Sequence, residues 1–194
     1  GETNPTISSI SPTVITNAQT AVTINGGNFI SVPIVEAINS SGAITQADSV
    51  SFTSASQIVA TFTLPTDGTY FIRIENNDGN AVRSSSALLT VSDAPAWVTS
   101  AGSLGSFSGG ANIGTITLTA TNSTGMTLQS GSLPGGITLT SGAGSSTLTG
   151  TESGATSDTT YSFTIRATDA EGQTADRQFT MTFTFVANNS GQFN

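Results

Sequence analysis

Two copies of one short pattern constrain this chain more than any other sequence feature. Each copy reads Asp-x-Thr-Tyr, then an alternating strand, then an Asp/Asn-rich turn closed by Gly; the copies span residues 67–79 and 158–172. Their tyrosines, Tyr70 and Tyr161, lie 91 positions apart. A spacing of this order, about 100 residues, is that of one β-sandwich domain. The pattern therefore predicts that one kind of sandwich is used twice.

Alternation of apolar and polar residues recurs along the whole chain, and turn residues interrupt it at short intervals. Such a period of two is typical of strands that bury one face. Ser and Thr together account for 62 of the 194 residues, and the many β-branched residues argue against a helical protein. We therefore predict an all-β fold of two tandem sandwiches, residues 1–92 and 93–187, followed by a polar C-terminal tail at 188–194. The clearest alternating runs are Tyr70, Ile72 and Ile74 in the first half and Phe179, Met181, Phe183 and Phe185 in the second.

The first half carries several spaced motifs of a known family. They resemble the IPT/TIG domain, an immunoglobulin-like sandwich, over residues 5–91. The resemblance implies the fold but no single activity, because this family serves in receptors, adhesins and polymer-binding enzymes. The motifs are Pro5-x-Ile7-x-x-Ile10-Ser11-Pro12, Thr23-Ile24-x-Gly26-x-Asn28-Phe29 and Leu64-Pro65-x-Asp67-Gly68-x-Tyr70.

The second half resembles a different family, the immunoglobulin-like, cadherin-like domain found in tandem in bacterial surface proteins and in phage virion proteins. This resemblance points most directly to structural proteins in the tail, neck and head appendages of phages. The residues that carry it are Pro95-x-Trp97, Gly131-Ser-Leu-Pro134, Leu139, Thr149-Gly150-Thr151, Thr160-Tyr-x-Phe-x-x-Arg-Ala-Thr-Asp169-x-x-Gly172 and Ala175-Asp-Arg177-x-Phe179.

The residue types that the chain lacks exclude several kinds of chemistry. It contains no Cys, His or Lys, which removes disulfides, thiolate or imidazole metal sites, Ser-His-Asp triads and Schiff-base lysines. Its twelve acids lie near turns or on polar strand faces, so we expect no catalytic residues. A net charge of −8 argues against binding to nucleic acid. Without a run of 18 apolar residues, we also expect no membrane insertion.

Calcium is the one cofactor that the cadherin-like resemblance suggests. Asp169 and Glu171 have an Asp-x-acid spacing, and Asp93 lies at the join of the two halves. Calcium needs six to eight oxygen ligands, usually with several carboxylates. However, the linker lacks the Asp-x-Asn-Asp-Asn string of true cadherins, and acids in a hairpin are explained by turn chemistry alone. The expectation is therefore no cofactor, with calcium at these three acids as the alternative.

Three aromatic residues allow either a binding or a structural interpretation. Trp97 could be a platform on which a sugar stacks, or an anchor in the core or at the join; buried aromatics in small cores favour the anchor. Tyr70 and Tyr161 follow Asp-x-Thr at the start of the penultimate strand of each half. That position predicts tyrosine corners, in which the hydroxyl bonds to nearby backbone.

One segment departs from one-sided alternation and is our candidate for an interface. We predict a turn at residues 26–28 and then a strand region from Phe29 to Ile38. Within it Ile30, Val32 and Ile34 alternate between Phe29 and Val35, so both faces of the strand are apolar. We expect this surface to be buried against a partner. Phe193, in the polar tail, is a second interface candidate as the anchor of a docking arm.

These features favour a non-enzymatic structural protein of a bacteriophage virion: a capsid decoration or cement protein, or a neck or tail appendage. Its expected location is the virion surface, and its expected partners are capsid or tail subunits, copies of itself on the particle and, weakly, host-surface glycans. The alternative is a fragment of a bacterial cell-surface adhesin or carbohydrate-binding module, which would be extracellular. A third interpretation, an accessory domain of an enzyme, requires a catalytic domain outside these 194 residues.

Overall fold

A computed structural model describes residues 3–186, in which every regular element is a β-strand. The chain divides into two compact units, Gly1–Asp93 and Ala94–Asn194. Each unit consists of two antiparallel-rich sheets around its own hydrophobic core. The prediction of an all-β chain with two tandem sandwiches is therefore confirmed.

The first unit has one four-stranded sheet, in the order β1-β3-β7-β6, and one six-stranded sheet, in the order β2-β10-β8-β4-β5 with β9 also paired to β8. If the strands are lettered in chain order, these are the ABED and GFC sheets of an immunoglobulin sandwich, with short extra strands at the edges. The strands are β1 (Thr6–Ser11), β2 (Val14–Ile15), β3 (Thr20–Gly27), β4 (Ile34–Asn39), β5 (Ile44–Gln46), β6 (Ser49–Ser54), β7 (Gln57–Phe62), β8 (Gly68–Glu75), β9 (Ala81–Arg83) and β10 (Leu89–Val91).

The second unit repeats this plan with two four-stranded sheets, β11-β13-β16-β15 and β12-β18-β17-β14. Its first sheet is again the ABED sheet, and the last two strands form the centre of the other. The strands are β11 (Ala96–Trp97), β12 (Gly102–Ser108), β13 (Asn112–Thr121), β14 (Gly125–Gly131), β15 (Ile137–Thr140), β16 (Ser145–Thr151), β17 (Thr159–Thr168) and β18 (Thr174–Thr184).

Alternating side chains of the central strands fill each core. In the first unit Tyr70, Ile72 and Ile74 of β8 are all at most 2% exposed. In the second unit Phe179 and Phe183 of β18 are fully buried. Burial of large apolar side chains at these alternate positions is what holds the two sheets together. The period-two pattern in the sequence therefore identified the inward faces correctly.

The predicted turn at residues 26–28 is wrong in part. Gly26 and Gly27 belong to β3 and pair with Ile7 and Thr6 of the edge strand β1. A Cβ atom on Gly26 would lie 1.8 Å from the carbonyl oxygen of Thr6 and 2.7 Å from the ring of Phe29. Glycine is therefore required by close approach of neighbouring atoms, and the chain turns only at Asn28, where φ is +59°.

The predicted strand from Phe29 to Ile38 is also too long. Residues 29–33 form a loop, and β4 begins at Ile34. Pro33 has no amide hydrogen to donate to a sheet, and the backbone at Ile30 and Ser31 bonds to side chains of the opposite loop instead of a strand. Burial does not alternate through this loop, because Ile30, Ser31 and Val32 are all exposed between the buried residues Phe29 and Pro33.

Candidate functional site

Asp169, the first of the three calcium candidates, stabilises a hairpin turn. Asp169 is 6% exposed and lies directly after β17. Its Oδ1 accepts hydrogen bonds from the backbone amides of Glu171 (3.1 Å) and Gln173 (2.7 Å), and its Oδ2 accepts one from Gln173 Nε2 (2.8 Å). Both carboxylate oxygens thus bond to groups of the turn itself, as Asp does in turns of this kind.

The other two calcium candidates differ from Asp169 in being exposed. Glu171 is exposed in the same turn, and Asp93 is an exposed residue of the first unit. Among residues 3–186, no three acids are grouped closely enough to hold a metal ion. Since calcium requires several converging oxygens, the described part of the chain offers no ready calcium site.

One buried acid was not singled out from the sequence. Glu152 is 3% exposed, and its carboxylate accepts hydrogen bonds from the amides of Gly110 and Ala155, each at 2.9 Å. It ties two loops of the second unit to the end of β16. No spacing pattern marks such a residue, because its partners are backbone groups, one of them 42 positions away. Its role here is structural.

Trp97 and Tyr70 both take the structural roles expected for them. Trp97 donates from Nε1 to the carbonyl of Ala175 at 3.0 Å and packs edge-on against Phe179 with ring centroids 5.4 Å apart. The interpretation of Trp97 as an anchor of the second sandwich is confirmed. Tyr70 donates its hydroxyl to the carbonyl of Thr66 at 2.6 Å, which is a tyrosine corner.

Tyr161 does not repeat that corner. It packs edge-on against Phe183, with ring centroids 6.0 Å apart, and the described residues give its hydroxyl no hydrogen-bond partner. Among residues 3–186, the large hydrophobic side chains that are well exposed include no aromatic ring. The aromatic rings of residues 3–186 are therefore all at least partly buried.

Threonines form regular rows across the ABED sheet of the second unit; they are exposed on β13 and β15 and half-buried on β16. Strand register places residues of β13, β16 and β15 side by side, with about 4.8 Å between neighbouring strands. The outward face of this sheet is therefore coated with hydroxyl groups and carries no charge at these positions. The two rows are Thr115–Thr149–Thr138 and Thr117–Thr147–Thr140.

The interface candidates of the first unit are exposed. Ile30, Val32 and Ile34 have 43%, 47% and 44% of their surface accessible, and we call these three residues the apolar triad. Phe29 and Val35, which flank the triad, are buried in the core. Phe29 and Val35 therefore anchor this segment in the core, while the side chains of the triad between them are exposed. Phe193, the other interface candidate, lies outside the described residues.

Hydrogen bonds from the opposite loop fix the backbone under the triad. The Ile30 amide donates to Oδ1 of Asn76 at 3.0 Å, and Nδ2 of Asn76 donates to the carbonyl of Asn28 at 2.7 Å. Asn77, next along the chain, donates from Nδ2 to the carbonyl of Ser31 at 2.8 Å. Asn76 is 2% exposed, so its bonds are shielded from water. These three bonds hold the loop backbone at Asn28, Ile30 and Ser31.

Charged groups beside the triad are already paired or acidic. In strand register, Ile34 lies opposite Glu75, which forms a salt bridge with Arg73. Arg73 also contacts Glu36, with 3.1 Å between Nη1 and Oε2. The hydrogen bond to Glu75 raises the pKa of Arg73; burial opposes this, and the hydrogen bond to Glu36 adds a smaller increase. Asp78, one residue beyond Asn77, has a pKa lowered by the backbone amide of Asn80.

A family match covers part of the second unit. Residues 125–184 match the family described as "Putative Ig domain". No curated protein sequence matches the chain at a significant level. The described residues contain no helix with the length and hydropathy that a membrane crossing requires.

Solved structures with a similar fold include tandem immunoglobulin domains of titin. An I-band titin fragment aligns with 94% of this chain at 13% identity and a TM-score of 0.52, and a mutated variant of the same domains gives 94%, 13% and 0.51. This chain spans 66% of the length of either fragment. The sialic acid binding region of a Streptococcus sanguinis adhesin aligns with 95% of this chain, over 78% of its own length, at 14% identity. Its TM-score of 0.34 is too low to show a shared fold. Together with the family match, the titin structures establish two tandem immunoglobulin-like sandwiches.

Proposed function

We propose that this immunoglobulin-like protein is a non-enzymatic structural component of a bacteriophage virion, acting as a capsid decoration or cement protein or as a neck or tail appendage. The apolar triad is the observation that carries the proposal. Three half-exposed aliphatic side chains, on a hydrogen-bonded loop and the first residue of the strand after it, supply the apolar contact area that a docking surface uses.

The chemistry of the described residues supports a role without catalysis. The buried acids Glu152 and Asp169 bond to backbone amides, and Asp176 is paired with Arg166 at 2.8 Å. A hydrolytic site needs two carboxylates poised on either side of a substrate bond, or a nucleophile beside a base. These acids instead hold loops and strands of the sandwich.

The surface chemistry suits long exposure outside a cell. The chain contains no lysine, and its four arginines all lie within strands. Trypsin-like proteases therefore have no exposed loop in residues 3–186 with a basic residue at which to cut. Without cysteine, the fold also does not depend on the redox state of its surroundings. The hydroxyl-coated sheet face keeps the protein soluble without a high density of charge.

Multiple copies could occupy a particle without contacting each other. A virion presents the same acceptor surface many times on a symmetric lattice, so one docking surface per chain is sufficient for regular decoration. Weak contact with host-surface glycans would then gain strength from the number of copies displayed.

The proposal is tested by mixing the purified chain with purified capsids, purified tails and host envelope glycans in separate sedimentation experiments. We expect the chain to co-sediment with capsids or tails at a saturating ratio and not with the glycans. Binding to the glycans without binding to capsids or tails would instead support the alternative, a fragment of a bacterial cell-surface adhesin or carbohydrate-binding module.

A further inference from the structure

We propose that the apolar triad docks onto a positively charged, apolar recess of a different protein and not onto a second copy of this chain. This inference rests on the proposed function, since it takes the acceptor to be a subunit of the particle. It adds the chemistry of the acceptor and the orientation of the chain, with the loop end of the first unit directed at the particle.

The geometry of the triad indicates a recess as the complementary shape. Ile30 and Val32 lie in the loop of residues 29–33 and Ile34 is the first residue of β4, while Phe29 and Val35 on either side of the triad are buried. A loop held by Asn76 and Asn77 loses little conformational freedom when it binds. Compact, preorganised aliphatic groups of this kind gain most when a pocket desolvates them completely.

The negative charge of the first unit disfavours binding of the triad to the same surface on a second copy of the chain. Residues 1–93 hold seven acids and two arginines, which leaves a net charge of −5 (2 − 7). Arg73 is held between Glu36 and Glu75. Arg83 lies 4.3 Å from the ring centroid of Phe71. Arg83 is exposed, but it is a single cation against the seven acids of this unit, and lysine is absent.

Two triads facing each other would therefore bring two acidic surfaces together. Like-charge juxtaposition across an interface opposes the wrong partner and slows its encounter. A basic rim around the acceptor recess has the opposite effect, because it attracts the acidic unit and can pair with Asp78 beside the triad. Charge complementarity thus selects a hetero-partner.

The test uses the full chain and particles purified without it. Ile34→Asp is the diagnostic variant, and Ile30→Asp is a second one in case the first is poorly folded. Ile44→Asp is the matched control, because Ile44 is 60% exposed on β5 of the same sheet and lies outside the loop. Thermal unfolding of each variant verifies that it folds. Binding to particles is measured between 50 and 500 mM NaCl, over which the electrostatic screening length falls from about 14 Å to about 4 Å. Sedimentation equilibrium of the free chain measures self-association.

We expect each loop variant to weaken particle binding by about tenfold or more, the control to bind like the wild type, and salt to weaken wild-type binding. The free chain should remain monomeric. Wild-type affinity in both loop variants would overturn the inference and leave the virion role standing. Self-association that Ile34→Asp abolishes would also overturn it, in favour of a second copy as the occupant. Failure of the wild type to bind any particle component would reject the proposed function and the inference together.

Discussion

Asn76 and Asn28 join two loops of the first domain through a 2.7 Å hydrogen bond from the Asn76 side chain to the Asn28 carbonyl. The Asn76 side chain also accepts a hydrogen bond from the backbone amide of Ile30, and Asn76 is almost fully buried. One amide group therefore supplies both a donor and an acceptor at the base of the apolar triad. Only Asn or Gln has this pair of groups on one planar end, and only Asn has the short reach required here.

Replacing Asn76 with Ala should destabilise the protein by about 2 kcal/mol, because a buried donor and a buried acceptor lose their partner. The free energy of unfolding in urea measures this. Asn77→Ala is the matched control: it removes one exposed hydrogen bond, to Ser31, and should cost well under 1 kcal/mol. Equal costs for the two variants would show that Asn76 does not hold the loop.

Replacing Gly26 with Ala should cost about 3 kcal/mol or more, since the added methyl group would overlap the Thr6 carbonyl and force β1 away from β3. Gly27→Ala, the neighbouring control, meets only the Thr6 hydroxyl at 3.0 Å and should be tolerated far better. Urea unfolding of both variants makes the comparison. If Gly26→Ala were as stable as Gly27→Ala, the close pairing of β1 with β3 would be incorrect.

Substitutions of Asp169 can distinguish a role in stabilising the hairpin turn from a role in binding calcium. Asn at this position keeps an oxygen that accepts from the amides of Glu171 and Gln173, so Asp169→Asn should cost much less stability than Asp169→Ala. Calcium at millimolar concentration should leave the melting temperature of the wild type unchanged, because a ligand stabilises only the state that binds it. A rise in melting temperature with calcium that both variants lose would establish a metal site instead.

The salt bridge between Asp176 and Arg166 predicts a pH dependence. Arg166 donates two hydrogen bonds to the carboxylate and so lowers the pKa of Asp176 below its ordinary value of 3.8. Because the folded pKa is the lower one, this contribution is present above about pH 4 and disappears as the pH falls through the folded pKa. Because both side chains are about a third exposed, solvent screens the pair and its contribution to stability should be small.

Calorimetry of the wild type and of Asp176→Asn between pH 7 and pH 2 checks this dependence. The variant should lose less of its melting temperature below pH 4 than the wild type does, while Asp158→Asn, whose residue has no arginine partner, should follow the wild type. Parallel curves for all three proteins would mean that the pair contributes nothing to stability.

Limited digestion with trypsin tests the protection of the arginines. Arg73, Arg83, Arg166 and Arg177 lie in β8, β9, β17 and β18, where sheet pairing prevents the extended approach to a protease. The native chain should remain intact under conditions that cleave it completely once it is unfolded in urea. A protease that cuts after aromatic residues serves as the control for access to the ends of the chain.

The sequence predicted the inward faces well and the connections less well. Tyr70 and Phe179 begin alternating runs whose burial follows directly from a period of two, because one face of each central strand must enter the core. Gly26 looked like a turn residue, since local sequence cannot show that a carbonyl of another strand lies against it. The loop at residues 29–33 looked like a strand because its apolar residues are spaced two apart, although its backbone bonds to Asn76 and Asn77.

The candidate site was predictable only as a surface. Two-sided alternation marked Ile30, Val32 and Ile34 as unusual, and their exposure agrees with a surface that lacks a partner within the described chain. The residues that fix the loop could not be found in this way, because Asn76 lies 46 positions from Ile30 and reads as an ordinary hairpin residue. Glu152 was missed for the same reason, since its partners are backbone amides.

The parallel pairing of the second strand with the last strand of each unit also determines how each sandwich responds to pulling. In the second unit β12 runs parallel to β18 over five paired positions, whereas in the first unit β2 pairs with β10 at only two. Tension applied at the two ends of a unit loads such a pair in shear, so all of its hydrogen bonds must break nearly together. The second unit should therefore bear the larger force before it opens, and the first should extend earlier and act as the compliant segment of the chain under drag.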